Sequence, residues 1–133
     1  MLFKPEYIEL IKNGTKTQTR RGWKNRRAKP GGVYKVQLVP FRKDYECKIK
    51  IKAVTRERLG DITAESANAE GGFTVEEFKQ KWIESSGGFD PDEEVWVIDF
   101  RVVDEDGIPL HEPDFEPVPL DPNIDKIKRR RNV

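Results

Sequence analysis

A chain of 133 residues with 35% hydrophobic and 37% charged residues has the size of one domain and enough patterned apolar positions for one core. Its formal net charge of +1 hides a segregation, because residues 16–29 are basic, 84–125 are mostly acidic and the run from Lys126 to Arg131 is basic again, which suggests a polyanion for the basic face. Cys47 is the only cysteine and His111 the only histidine, which excludes an internal disulfide and the multi-cysteine zinc site, and a Ser–His–Asp or Cys–His site would have to use His111.

KPEYIELIKNG (residues 4–14) predicts a short helix. Pro5 suits its first turn, Glu6 and Glu9 its positive end, and Tyr7, Ile8, Leu10 and Ile11 form one apolar face. Asn13-Gly14 supplies a left-handed stop. TKTQTRR then alternates: in an extended chain Thr15, Thr17, Thr19 and Arg21 face one way and Lys16, Gln18 and Arg20 the other. GWKNRRAKPGG is a loop. Strands are expected over 33–41 and within 46–59, where Cys47, Ile49 and Ile51 oppose Lys48, Lys50 and Lys52; the turn between them predicts an antiparallel hairpin.

Asp61 or Thr63 can cap a helix that ends at Gly71-Gly72, and Thr74 with Glu77 makes a capping box for TVEEFKQKWIESS. Val75, Phe78, Trp82 and Ile83 are its expected buried stripe. EEVWVIDFRVV (93–103) is the strongest strand pattern, with Trp96, Ile98, Phe100 and Val102 on one face; Trp82 and Trp96 are assigned to the core. The order of elements lacks regular βαβ alternation, so an α+β fold with a mostly antiparallel, barrel-like sheet is expected. Residues 1–103 are read as the domain, and 104–133 as an acidic, proline-rich extension ending in a basic tail. Phe115, Val118 and Leu120 are the residues expected to pack the extension along the domain.

No dinucleotide fingerprint, phosphate loop or zinc-protease motif occurs, and no cofactor or metal is expected. No window approaches a membrane span and the N-terminus lacks a signal-peptide run, so the expectation is a cytoplasmic protein without a membrane partner, with a monomer as default. What remains is NGTKTQTRR. Lys16, Thr19 and Arg21 offer an amine, a hydroxyl and a guanidinium within six residues. A desolvated lysine can accept the proton of a threonine hydroxyl, a carboxylate can pass that proton on, and an arginine fork can hold a phosphate or carbonyl oxygen. The same spacing also reads as threonines on a half-exposed strand with solvated lysines. Trp23 can stack on a base or fold back on the barrel, while Arg26, Arg27 and Lys29 suit backbone phosphate. Glu70 precedes two glycines at a helix end, where a carboxylate gains nothing from the dipole.

Together, G-x-K-T-x-T-x-R from Gly14 to Arg21, Ala69-Glu70-Gly71 and the late aromatic strand, in this order, resemble the ASCH domain family over about residues 2–103. The resemblance implies a PUA-like fold, a small mostly antiparallel β-barrel flanked by short helices. It implies binding of RNA or a modified nucleoside in a cleft lined by Lys16, Thr17, Arg20 and Arg21, to which the loop adds Trp23, Lys24, Arg26, Arg27 and Lys29. Some small members are amidohydrolases that deacetylate N4-acetylcytidine with a lysine, a threonine and a glutamate; by motif these fall on Lys16, Thr19 and Glu70. Others are described as ribonucleases. The basic loop and the extension of some thirty residues depart from the minimal enzymes. From outside catalysis, a protein-interaction adaptor using the acidic extension is a further reading.

Overall fold

The computed structural model describes residues 1–126. Helix α1 runs over Pro5–Lys12 with Pro5 in its first turn, Glu6 at its positive end, Lys12 in its last turn and Ile11 fully buried. Gly14 then turns the chain at φ +84°, and a Cβ there would lie 2.9 Å from the His111 ring, so both conformation and space demand glycine. Strands β1 (Gln18–Arg21), β2 (Val33–Val36) and β3 (Cys47–Arg58) follow, then a 3-10 turn over Leu59–Asp61, helices α2 (Ala64–Gly71) and α3 (Val75–Ser86), and strand β4 (Glu94–Val103).

The four strands form one antiparallel sheet in the order β1-β4-β3-β2. Thr19 lies opposite Ile98 and Ile49 opposite Val102. The sheet curls into a half-barrel flanked by three helices, the PUA-like α+β fold. A register shift between Ile51 and Ala53 bends β3, as an extra residue in one strand of a pair does. Leu2 bridges Gln37 in parallel, drawing the N-terminus alongside β2.

Two clusters make the core. Ile11, Ile49, Ile51, Ile98 and Phe100, each 0% exposed, pack inside the curled sheet with Trp96 and Val102. Leu59, Ile62, Ala67, Phe78 and Val95 pack under α2 and α3. Each large apolar side chain so buried contributes about 1.5–3 kcal/mol. Thr63 caps α2 by accepting from the Ser66 amide, and Thr74 and Glu77 form the reciprocal capping box of α3.

Several expectations need correction. The strand expected over 33–41 ends at Val36; Pro40 and an exposed Phe41 at φ 61° belong to the turn. Ile83, placed in the buried stripe of α3, is 38% exposed, because that helix rests on the domain through Phe78. Trp82 is only partly buried, packing against the edge of the second cluster instead of within it.

After β4 the chain around Phe115 packs on the face of β3 that carries Lys50 and Lys52. Lys50 and Lys52 lie over the Phe115 ring, at 5.0 and 5.6 Å, and the Val118 amide donates to the Lys52 carbonyl. Ile124, which the sequence pattern did not single out, is buried in the main core, with Leu120 packed against the same cluster. Val118 contributes its backbone and leaves its side chain 48% exposed. Beyond Lys126, the basic C-terminal run lies outside the described residues.

Candidate functional site

Where α1 ends, the chain is pinned twice. The Lys16 amide donates to the Leu10 carbonyl, and the Thr17 amide donates to Ala69 in the last turn of α2. The second bond brings residue 70 beside residue 16 although 54 positions separate them. Four polar residues then stand buried together: Lys16, Thr19, Arg20 and Glu70 are 3%, 5%, 4% and 5% exposed. Such groups are tolerated inside a protein only when paired and hydrogen-bonded.

They are paired. The Lys16 Nζ donates to the Glu70 backbone carbonyl at 2.7 Å, to the Gln18 carbonyl at 2.9 Å and to Glu70 Oε1 at 3.4 Å. Arg20 donates to Glu70 Oε2 at 2.9 Å, to Gln18 Oε1 at 2.7 Å and to Glu57 on β3 at 3.0 Å. Arg21 faces the other side of β1, donating from Nε to the Thr19 hydroxyl oxygen at 3.2 Å and from Nη2 to the Leu2 carbonyl at 2.7 Å. Its guanidinium lies 4.6 Å from the Phe3 ring centroid, the geometry of a cation–π contact.

All five residues border one cavity of about 240 Å³, walled on its apolar side by Tyr7, Phe73, Phe78 and Trp82. This volume lies below the range of about 300–1,000 Å³ typical of drug-sized ligands. Burial pushes the Lys16 amine below its ordinary value of 10.5, with Arg21 and Arg20 acting in the same direction and Glu70 against it. Burial also lowers Arg21, again with Glu70 opposing. The Tyr7 phenol is pushed up to about 12, first by burial and then by Glu6, Glu70 and Glu84. Tyr7 therefore keeps its proton throughout the neutral range, and the Lys16 Nζ lies 4.7 Å from its ring.

The other candidate residues lie elsewhere. Arg26 forks onto Asp125 with two bonds of 2.9 Å and donates to the Ala28 carbonyl. Trp23 is half-buried against the core, and its carbonyl accepts from the Trp96 indole. Thr17 borders a separate cavity with Arg101 and His111. Lys24, Arg27 and Lys29 are exposed on the loop. Sequence reasoning overlooked Glu57, Tyr7 and the aromatic wall. An acid at 57 in a strand that otherwise carries basic residues was the available signal for the first, and no local signal marked the others. Among the described residues, no cluster of histidine, cysteine, aspartate and glutamate is arranged to hold a metal ion, and no helix is long and apolar enough to cross a membrane.

A family model for the ASCH domain matches residues 1–104. Among solved structures, the chain is similar to an ASCH domain from Lactobacillus crispatus JV V101, with 16% identity over 71% of this chain and 69% of that one at a TM-score of 0.55. It is also similar to protein EF3133 of Enterococcus faecalis V583, with 19% identity, 74% and 68% coverage and a TM-score of 0.55. A variant of ZmASCH from Zymomonas mobilis matches at 15% identity, 80% and 75% coverage and a TM-score of 0.51. No curated protein matches the chain. At these identities the likeness to solved structures concerns the fold.

Proposed function

We propose that this chain, which belongs to the ASCH domain family, binds the base of an RNA nucleotide or modified nucleoside in the cavity between α1, α2 and β1 and hydrolyses an acyl group from the exocyclic nitrogen of a cytosine. The observation that carries this reading is the burial of Lys16 against Glu70, with Thr19 bordering the same cavity. A plain polyanion groove would present its cations to solvent. Here the Arg20 side chain is 0% exposed and bound to two carboxylates, and Lys16 is nearly as enclosed. Charges held this way serve positioning and proton transfer better than phosphate neutralisation.

In this mechanism the Thr19 oxygen attacks the acyl carbonyl carbon and its proton passes to a neutral Lys16 amine. Burial shifts Lys16 in the direction that favours the neutral amine, and Glu70 Oε1 is the acceptor that relays the proton. Of the three Lys16 contacts the one to Oε1 is longest, at 3.4 Å, so it is the one most readily given up. Arg21, already 3.2 Å from the Thr19 oxygen, supplies donors for the developing oxyanion. The carbon–nitrogen bond then breaks as the leaving amine receives a proton from the Lys16–Glu70 pair. Water attacks the acyl-threonine, releases the carboxylic acid and restores the hydroxyl. Arg20 fixes the Glu70 carboxylate from behind.

The test is incubation of N4-acetylcytidine with the wild type and Thr19→Ala, following cytidine and acetate. Release by the wild type alone supports the proposal. Equal and negligible release by both ends the hydrolytic reading.

A further inference from the structure

We infer that the substrate is a single-stranded oligonucleotide and that a second cavity beside the first receives the nucleotide next to the acylated one. This inference deepens the proposed function and rests on its placement of a base in the first cavity. The second cavity measures about 230 Å³ and is bordered by Leu2, Arg21, Trp23, Arg27 and Tyr34. Leu2 and Arg21 border both cavities, so the Arg21 side chain and the Leu2 carbonyl it holds form the partition between two hollows of nearly equal volume. Each hollow has room for one base.

The linings differ in chemistry. The first cavity holds the buried amine, hydroxyl and carboxylate. The second, which Met1 also borders, has no carboxylate, and offers two aromatic rings and an exposed arginine, the combination that binds single-stranded nucleic acid through stacking and phosphate attraction. Trp23 lies 6.0 Å from the Arg21 guanidinium. The Tyr34 hydroxyl accepts from the Lys29 amide, fixing the ring at the base of the loop. Arg27 stands exposed at the rim. A base lodged in either hollow is out of any duplex, so the strand must be single where it binds. Its backbone would cross the Arg21 partition with a phosphate near Arg27.

The experiment measures dissociation constants by fluorescence anisotropy for a labelled pentanucleotide with a central N4-acetylcytidine, and by competition for the free nucleoside. The wild type should prefer the oligonucleotide at least about tenfold, and Trp23→Ala should reduce that preference by about 5- to 150-fold, the range a stacked base supplies. Arg27→Ala, at an exposed position where folding is not in question, should reduce it as well and flatten its dependence on salt. Equal affinity of the wild type for both ligands, or a preference that survives both substitutions, overturns the inference. Deacylation of the nucleoside is assayed separately. A preference lost in the variants without turnover would uphold the second subsite and remove the hydrolase; turnover without preference would do the reverse.

Discussion

The Lys16 amine lies 3.4 Å from the Glu70 carboxylate and 2.7 Å from the backbone carbonyl of the same residue. One glutamate thus holds the lysine with both its main chain and its side chain; in the proposed mechanism the first contact fixes position and the second carries the proton. Arg20 on the far oxygen of the carboxylate completes a buried chain of two cations around one anion, with Glu57 as the outer counter-ion.

Truncating Glu70 therefore has a structural cost apart from any chemistry. Glu70→Ala leaves two buried cations short of a partner, and breaking such a pair typically costs about 3–5 kcal/mol. Urea denaturation should show a loss of this order. A variant as stable as the wild type would mean that Lys16 and Arg20 find water or other acceptors.

Thr19 separates nucleophile from scaffold. Its hydroxyl is the only group of Thr19 that the mechanism uses, so Thr19→Ala should fold and still bind the nucleoside, while kcat falls by about a thousandfold or more. Thr19→Ser, which keeps the hydroxyl, should recover much of the rate. Steady-state kinetics of both variants decide the matter, and an active alanine variant would exclude the covalent route.

Much of this architecture is legible in the chain. Asn13-Gly14, the Thr63 cap and the Thr74–Glu77 box each set a helix boundary through local chemistry, and the alternation of β4 announces its buried face. What escapes is decided by distant parts of the chain. The end of β2 at Val36 depends on Leu2 bridging Gln37, the exposure of Ile83 depends on how α3 rests on the sheet, and the anchoring of Ile124 depends on a gap in a core made by other elements. The site divides the same way. Lys16, Thr19 and Arg21 are neighbours in sequence, and the spacing alone brings them to one strand entry. Their approach to Glu70 needs the bond from Thr17 to Ala69, and the pairing of Arg20 with Glu57 needs the whole sheet. Neither has a local signature.

The extension is held chiefly by its apolar anchor. Ile124 is 5% exposed within the main cluster, so Ile124→Ala should cost about 2–5 kcal/mol. Asp125→Ala breaks only the exposed pair with Arg26 and should cost far less. Thermal denaturation of the two variants compares them directly; the reverse order would show that the ion pair, and not the core contact, fastens the segment.

Lys16 also links stability to pH. Because its folded-state affinity for the proton lies below the ordinary value of 10.5, the unfolded chain binds more protons between the two values, and stability rises with pH across that window. Tyr7 acts oppositely above pH 10, where the unfolded phenol ionises while the folded one holds its proton to about 12. Urea midpoints measured up to pH 10 should therefore climb for the wild type relative to Lys16→Met. Parallel curves would show that Lys16 titrates alike in both states.

The central claim is that a buried lysine yields its proton under working conditions, and NMR titration of the Lys16 Cε–Nζ group in the wild-type protein tests it most directly. The expected midpoint lies clearly below 10.5 and matches the rising limb of the deacylation pH profile. A lysine that stays an ammonium to its ordinary midpoint or beyond would contradict it, leaving Lys16 as the counter-ion of Glu70 and nothing more.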